Sequence, residues 1–432
     1  MGRPKKIVPI PIPTVTKKYT LPLGHPEVLV AEGNLWPGIM SRLQTAAKNY
    51  GYARIETPLF EELNVFKNYF GSQDHPQVAQ GYTFDAGGKQ WMVRSSVHPG
   101  VLRSYFQNKV FELEPMSKWS FIGNIQKQSV KQPISEYEYG FEVLGNFTHL
   151  AEAQLLACVW ALFGALELSR VVMEINFSGT LESQASYSES LKDFLRNKKY
   201  ELCDTCSENL EGRVIEVLRC DKLDCQTVFA DAPTILDFLD DISQKHFTSI
   251  LEALDELQIP YQLNPLLGAP SGITQTVVAF KQKYDTSVRL LGTAGYHTTL
   301  IHQLAGRSWP CFGYMGLLST LYEAVQTESI PVSAPHTSEV FLVPLGELAA
   351  KKSLRLFHDL LAAHIEVYDH FGHAGVKNQL KLAEAHKSPI ALIMGQKEAA
   401  DETVILRDVK SGMQEMFSYD KIVDEVKKRL GR

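Results

Sequence analysis

The 432-residue sequence contains no run of about 18 uninterrupted apolar residues, so no membrane-spanning helix is expected. It has no large excess of either charge. Its 43 lysines and arginines face 49 aspartates and glutamates, and the net charge of −6 excludes a global basic field as the means of holding nucleic acid, though not a local basic face. A basic start at Arg3, Lys5 and Lys6 is followed by the proline-broken IVPIPIPTV with no small-residue cleavage site, so no signal peptide is expected. Cysteine is scarce: six in all, four of them within 203–225. A cytoplasmic protein with reduced thiols is the expectation. There is no G-x-G-x-x-G, no P-loop and no nucleophile elbow. What remains is 44% hydrophobic and 21% charged, the composition of an ordinary globular protein long enough for more than one domain.

Residues 1–34 are Pro-rich and Lys-dotted and read as an extended arm. A helical face begins at Leu35 and continues through Ile39, Leu43 and Ala46. Residues 52–60 read as a strand bent at Pro58, 61–70 as a helix, 82–85 and 90–94 as a hairpin about Gly87-Gly88, and 98–106 as a helix. The chain is organised around 112–145. There a polar-apolar edge at Glu114-Pro115-Met116 precedes the loop-like SFIGNIQKQSVKQPIS, and 137–145 alternate as a half-buried strand does. A long apolar helix is expected over 149–169 and a strand over 171–177. Residues 178–258 read as a mostly helical interruption of the sheet. Strands return at 261–280 and 286–293, a helix at 296–305, and a strand followed by a helix over 310–326. The Ser/Thr/Pro-rich TESIPVSAPHTS marks a linker, placed at 331–338. Beyond it, strands at 340–344, 365–369, 389–394, 403–408 and 414–418 alternate with helices at 347–363, 375–386 and 419–431. Residues 339–432 are thus a small α/β domain of ordinary size.

Cys203, Cys206, Cys220 and Cys225 follow C-x₂-C…C-x₄-C, the spacing of a structural zinc knuckle with four thiolates closing a tetrahedron. The other reading is a loop of unlinked reduced thiols. Cys158 and Cys311 lie in apolar contexts and read as packed. His364, His370 and His373 cluster around Asp369 and read as surface histidines rather than a metal site.

Several segments, in order, carry a resemblance. NYGYARIETPLFEE, LDDISQKHFTSILEALDELQIPYQ with the Ala232-Pro233 before it, and VKNQLKLAEAHKSPIALIMGQKEAADETVILRDVKSGMQE resemble histidyl-tRNA synthetase, a class II aminoacyl-tRNA synthetase, over nearly all of 35–432. The resemblance implies an α+β fold. It consists of a class II antiparallel sheet with flanking helices over 35–330, a helical insertion at about 178–258 and a C-terminal anticodon-binding-like domain. It also implies a homodimer built through the first signature, and tRNA as a partner. The helix that carries Lys377, Gln379 and Lys381 is then the candidate tRNA-binding element, and its bland reading is an ordinary solvated face.

The catalytic signatures depart from the family. Adenylation builds charge on the α-phosphate, which the family meets with arginines. Here the second signature supplies Lys118. The third, Gly-Leu-Glu-Arg-Leu in the family, reads Gly316-Leu317-Leu318-Ser319-Thr320-Leu321, without the acid or the arginine. The histidine-specific segments become Gly268-Ala269-Pro270-Ser271-Gly272-Ile273 and Ala294-Gly295-Tyr296-His297-Thr298. Arg94 and Glu142 survive as matches, and the counterpart of Glu142 in the family sits in the amino-acid pocket. Glu142 also reads as a strand residue facing a polar cleft. The expectation is a retained fold without ligase chemistry, binding tRNA or a protein partner. One alternative is an active histidine–tRNA ligase, using ATP and Mg, with a site rebuilt from Lys118, Arg94, His98 and His297. Another is a regulatory subunit of ATP phosphoribosyltransferase, disfavoured because those regulators lack the C-terminal domain.

Overall fold

The computed structural model describes residues 35–71, 75–128, 134–211, 214–218, 220, 222–268, 273–285, 287–297, 299–328, 338–369 and 375–432. The arm at 1–34, most of the linker, Ala269–Gly272 and the histidines 370 and 373 lie outside them. The chain divides into two compact units, one reaching to Val332 and the other starting at Ser333. Among the described residues no helix is long and apolar enough to cross a membrane.

In chain order the strands of the first unit are β1 (Ala53–Arg54), β2 (Phe60–Glu62), β3 (Thr83–Ala86), β4 (Lys89–Val93), β5 (Met116–Lys127), β6 (Ile134–Gly145), β7 (Val171–Phe177), β8 (Gln262–Leu263), β9 (Ile273–Lys283), β10 (Val288–His297) and β11 (Cys311–Leu317). Eight of them form one sheet in the order β1-β5-β6-β11-β10-β9-β7-β8. Its pairings are antiparallel except for the parallel outer pairs β1/β5 and β7/β8. A separate three-stranded sheet runs β2-β4-β3.

The helix His149–Ala165 is apolar on all sides, which suits a buried helix rather than a surface one. It lies in the main core with Ile39 and Leu43 of Leu35–Asn49, Phe247 and Ile250 of Asp241–Glu256, and Tyr139, Phe141 and Val143 of β6. Burying each such aromatic or aliphatic side chain contributes about 1.5–3 kcal/mol before chain entropy is subtracted. The period-2 geometry of β6 therefore sends its odd-numbered residues to these helices. Its even-numbered residues, Glu138, Gly140, Glu142 and Leu144, face the other side, where the helix His98–Gln107 packs.

Helices fill the insertion between β7 and β8, and they enclose a separate core of Tyr187, Leu191, Leu195, Cys206, Cys225 and Phe229. The second unit contains β12 (Val340–Pro344), β13 (Val367–Asp369), β14 (Ile390–Met394), β15 (Thr403–Asp408) and β16 (Gln414–Ser418), in the order β13-β12-β14-β15-β16. Strands β13, β12 and β14 are parallel, and the rest antiparallel.

Four sequence expectations need correction. Residues 120–127 belong to strand β5 rather than to a loop; their Asn, Gln and Lys disguise a central strand that buries Phe121, Ile122 and Ile125. The expected strand 52–60 is two short strands, because Thr57 and Pro58 give their carbonyls to Arg94 instead of a ladder. The expected strand 261–280 breaks after Leu263, where Asn264 turns the chain by accepting from the Leu266 N–H. Strand β10 runs on to His297, and the following helix begins at Thr299.

Candidate functional site

His98 of the helix His98–Gln107, Cys311 of β11 and, beside His98, His297 of β10 gather about Glu142 of β6. The carboxylate of Glu142 is fully buried. Its Oε1 meets Nε2 of His98, the first residue of the helix, in a direct contact without hydrogen-bond alignment. Its Oε2 accepts from Cys311 Sγ at 3.3 Å, from the first residue of β11. Glycine makes this possible. Gly313 stands opposite Glu142 in the ladder, and a Cβ there would sit 1.8 Å from Oε1. The carboxylate thus folds across the neighbouring strand in space that only glycine leaves.

Tyr69 closes the cluster. Its hydroxyl bonds Nδ1 of His98 at 2.8 Å and Nδ1 of His297 at 3.0 Å. The two imidazole centroids are 4.0 Å apart. Burial dominates the electrostatics. It pushes the Glu142 carboxyl up to about 7, against the pull of His297 and the Cys311 hydrogen bond. It draws His98 down to about 3. It draws His297 to about 3 as well, with His98 adding to the effect and Glu142 opposing it. At neutral pH both imidazoles are uncharged. Burial and the adjacent Glu142 raise the Cys311 thiol well above its ordinary value.

Arg94 and Lys118 do not join this cluster. The Arg94 guanidinium is buried and donates to the carbonyls of Asn124 (2.7 Å), Thr57 (2.8 Å) and Pro58 (3.3 Å). Gly123 leaves room for it, since a Cβ there would meet Nη2 at 2.4 Å. Lys118 pairs with Val143 in the ladder and so lies on the opposite face of the sheet from Glu142. Its ammonium contacts Gln154 Oε1 and the Tyr50 carbonyl and lies 5.7 Å from the Tyr52 ring centroid. The next carboxylate along β6, Glu138, is also committed: it accepts from Ser96 Oγ at 2.9 Å and from the Val97 N–H. His98 and His297 were legible as polar residues of the degenerate signatures. Tyr69 carried no such signal, and Cys311 read only as packed.

In the insertion, the thiol sulfurs of Cys203, Cys206, Cys220 and Cys225 all lie within 4.8 Å of one another. Cys203 and Cys220 are 3.9 Å apart, and the Cys203 N–H points at Cys225 Sγ at 3.3 Å. The Cys206 N–H lowers the Cys203 thiol to about 7, and burial raises Cys206 and Cys225. Bonds of about 2.3 Å in a tetrahedron put sulfurs about 3.8 Å apart, so the arrangement fits a Zn²⁺.

On the second unit, Lys377 and Lys381 project from the exposed face of Val376–Ala385, one turn apart. Gln379 does not belong to that face. It is 1% exposed and donates to the Pro344 carbonyl at 3.1 Å, so it packs the helix against β12 rather than meeting a ligand.

The histidyl-tRNA synthetase family model matches residues 24–315, and the anticodon binding domain model matches 339–429. The chain belongs to the histidyl-tRNA synthetase family. It is 26% identical over 398 residues to a histidine–tRNA ligase of Protochlamydia amoebophila, covering 91% of this chain and 94% of that one. The fold is that of apo histidyl-tRNA synthetase from S. aureus, with a TM-score of 0.76 and 23% identity across 95% of this chain and 100% of that one. A Bacillus halodurans protein described as an ATP phosphoribosyltransferase regulatory subunit/histidyl-tRNA synthetase aligns with a TM-score of 0.61 and 17% identity, covering 89% and 99%. The α+β family fold with its C-terminal anticodon-binding domain is therefore as the sequence implied.

Proposed function

We propose that this histidyl-tRNA synthetase-family protein does not activate histidine and instead acts by binding, with tRNA held through the C-terminal domain. One observation carries the reading. The carboxylate that the resemblance assigns to the amino-acid pocket is fully buried against His98 and Cys311 of the same chain. A free histidine reaching Glu142 has to displace the two side chains that contact it. The surviving Arg94 is committed to backbone carbonyls and Lys118 faces away, so neither offers charge to a phosphate beside Glu142. Losing one such group costs on the order of 10²–10³ in rate, and several are missing here. The exposed pair Lys377 and Lys381 supports a phosphate-contacting role for the last domain. The four-cysteine cluster holds a structural Zn²⁺ in this reading, since all four positions are protein thiols. Homodimerisation fits the exposed Phe60 and Phe84, whose rings stack edge-on at 5.2 Å on the small sheet.

Two titrations test the reading. Histidine added to the folded protein gives no heat with or without ATP, and tRNA binds with an affinity that falls steeply with salt. Saturable histidine binding overturns the first half. The absence of tRNA binding at low salt overturns the second and directs the search to a protein partner, with a short phosphoribosyltransferase the first to try.

A further inference from the structure

The cluster around Glu142 has the donors of a metal site and the hydrogen-bond deficit of one. His98 Nε2, the Glu142 carboxylate and Cys311 Sγ each offer one ligand atom, and these lie within 4.8 Å of one another in a fully buried setting. Both ring nitrogens on the Nδ1 side are held by a single hydroxyl, that of Tyr69. This leaves His297 Nε2 buried without a hydrogen-bond partner, and gives His98 Nε2 and Glu142 Oε1 only each other, in a contact without hydrogen-bond alignment. Three buried polar atoms without an aligned hydrogen bond in one cluster are unusual, because each costs free energy unless something satisfies it.

We propose that His98, Glu142 and Cys311 bind a divalent cation of the zinc type, with the fourth position left to a water. The mixed nitrogen, oxygen and sulfur donor set suits zinc rather than magnesium or calcium, which take oxygen. Tetrahedral bonds of about 2.0–2.3 Å place ligand atoms about 3.3–3.8 Å apart, and Cys311 Sγ already stands 3.3 Å from Glu142 Oε2. The charges balance: one thiolate and one carboxylate neutralise the dication, and the His98 imidazole binds as a neutral ligand. A site with no net charge is what a fully buried location tolerates. Binding releases the Cys311 thiol proton, together with any proton on Glu142, to solvent. Tyr69 then supplies the outer shell, because its oxygen has a lone pair that can accept the His98 Nδ1–H, fixing that ring with Nε2 towards the metal.

The inference rests on the closed pocket described above. Metal content and histidine activation are measured separately, so either result can fail alone. The full chain is purified without chelator, its zinc is counted by elemental analysis, and it is compared with Cys311→Ser. The expected result is one zinc per chain fewer in the variant, whatever the four-cysteine cluster holds. As a check independent of that variant's folding, the full chain carrying Cys203→Ser and Cys206→Ser is refolded with Co²⁺. The expected spectrum shows tetrahedral ligand-field bands for one Co²⁺ per chain, with the weak charge-transfer band of a single thiolate. Equal zinc in folded wild type and folded Cys311→Ser overturns the proposal. So does a folded cluster-less protein that takes up no Co²⁺.

Discussion

Gly313→Ala is the most informative single substitution at the Glu142 cluster. A methyl group at 313 would lie 1.8 Å from Glu142 Oε1 and 2.2 Å from Cδ, so the carboxylate must leave its position. Overpacking of this kind costs about 1–3 kcal/mol. Loss of the Cys311 hydrogen bond to a buried acid costs about 1–3 kcal/mol more. The sum is about 2–6 kcal/mol, and a urea m-value of about 3 kcal/mol/M converts it to a midpoint lowered by about 0.7–2 M. Tryptophan fluorescence is a clean assay, because all five tryptophans (36, 91, 119, 160 and 309) precede Val332 and report on the first unit alone. Gly164→Ala is the control. That exposed helical glycine has nothing within 4 Å of its Cβ position, and alanine should stabilise by about 0.5–1 kcal/mol. In a Glu142→Ala background the Gly313→Ala cost should shrink by at least about 1 kcal/mol, since the conflicting atoms are gone. A Gly313→Ala cost below about 0.5 kcal/mol, or strict additivity with Glu142→Ala, refutes the folded-back carboxylate.

Three further outcomes are expected. Lys377→Glu with Lys381→Glu should weaken tRNA binding roughly tenfold and flatten its salt dependence by about one unit of log–log slope for each phosphate no longer neutralised; filter binding at several salt concentrations reads both. Chelation, or Cys220→Ser, should reduce the helical circular dichroism of the insertion and lower its melting temperature, while the 339–432 domain is unaffected. Glu174 is pushed up by burial but brought down to about 2 by Lys281, Lys283 and Asn264. Its folded value lies below its unfolded one, so its stabilisation is complete above about pH 4.5 and is lost as pH falls through about 2. With solvent screening this amounts to about 1–2 kcal/mol. The stability gap between wild type and Lys281→Met should therefore narrow as pH falls through that window in urea titrations.

Much of the fold was legible because local pattern and final structure agree. Strands 171–177, 403–408 and 414–418 fall where their composition places them, and the second unit follows its predicted order apart from the short helix Gln396–Ala400, which the sequence reading missed. The central hairpin was harder to read. Strand β5 mixes polar residues onto both faces, and β6, which alternates as a half-buried strand does, is in fact buried on both sides because Glu138 and Glu142 are enclosed as well. Only the ladder register separates Lys118, beside Val143, from Glu142, beside Trp119. The site itself gathers Tyr69, His98, Glu142, His297 and Cys311 from five segments, a convergence that spacing along one chain does not encode. One local signal was available. The strand CFGYMGL carries Gly313 and Gly316 where β-branched residues would pack better, and glycine inside a strand marks a close approach. Gln379 failed for a related reason, since a polar residue on a helix can serve as an internal hydrogen-bond donor as readily as a surface one.

The central claim is that a family fold has been kept while its adenylation site is closed. Histidine-dependent exchange of pyrophosphate into ATP tests it most directly, with a working histidyl-tRNA synthetase measured alongside and the fold of the sample verified. The account predicts no exchange above background. Exchange within a hundredfold of the control enzyme would contradict it, because His98 and Cys311 would then have to leave Glu142 during turnover and other residues would have to carry the phosphate charge.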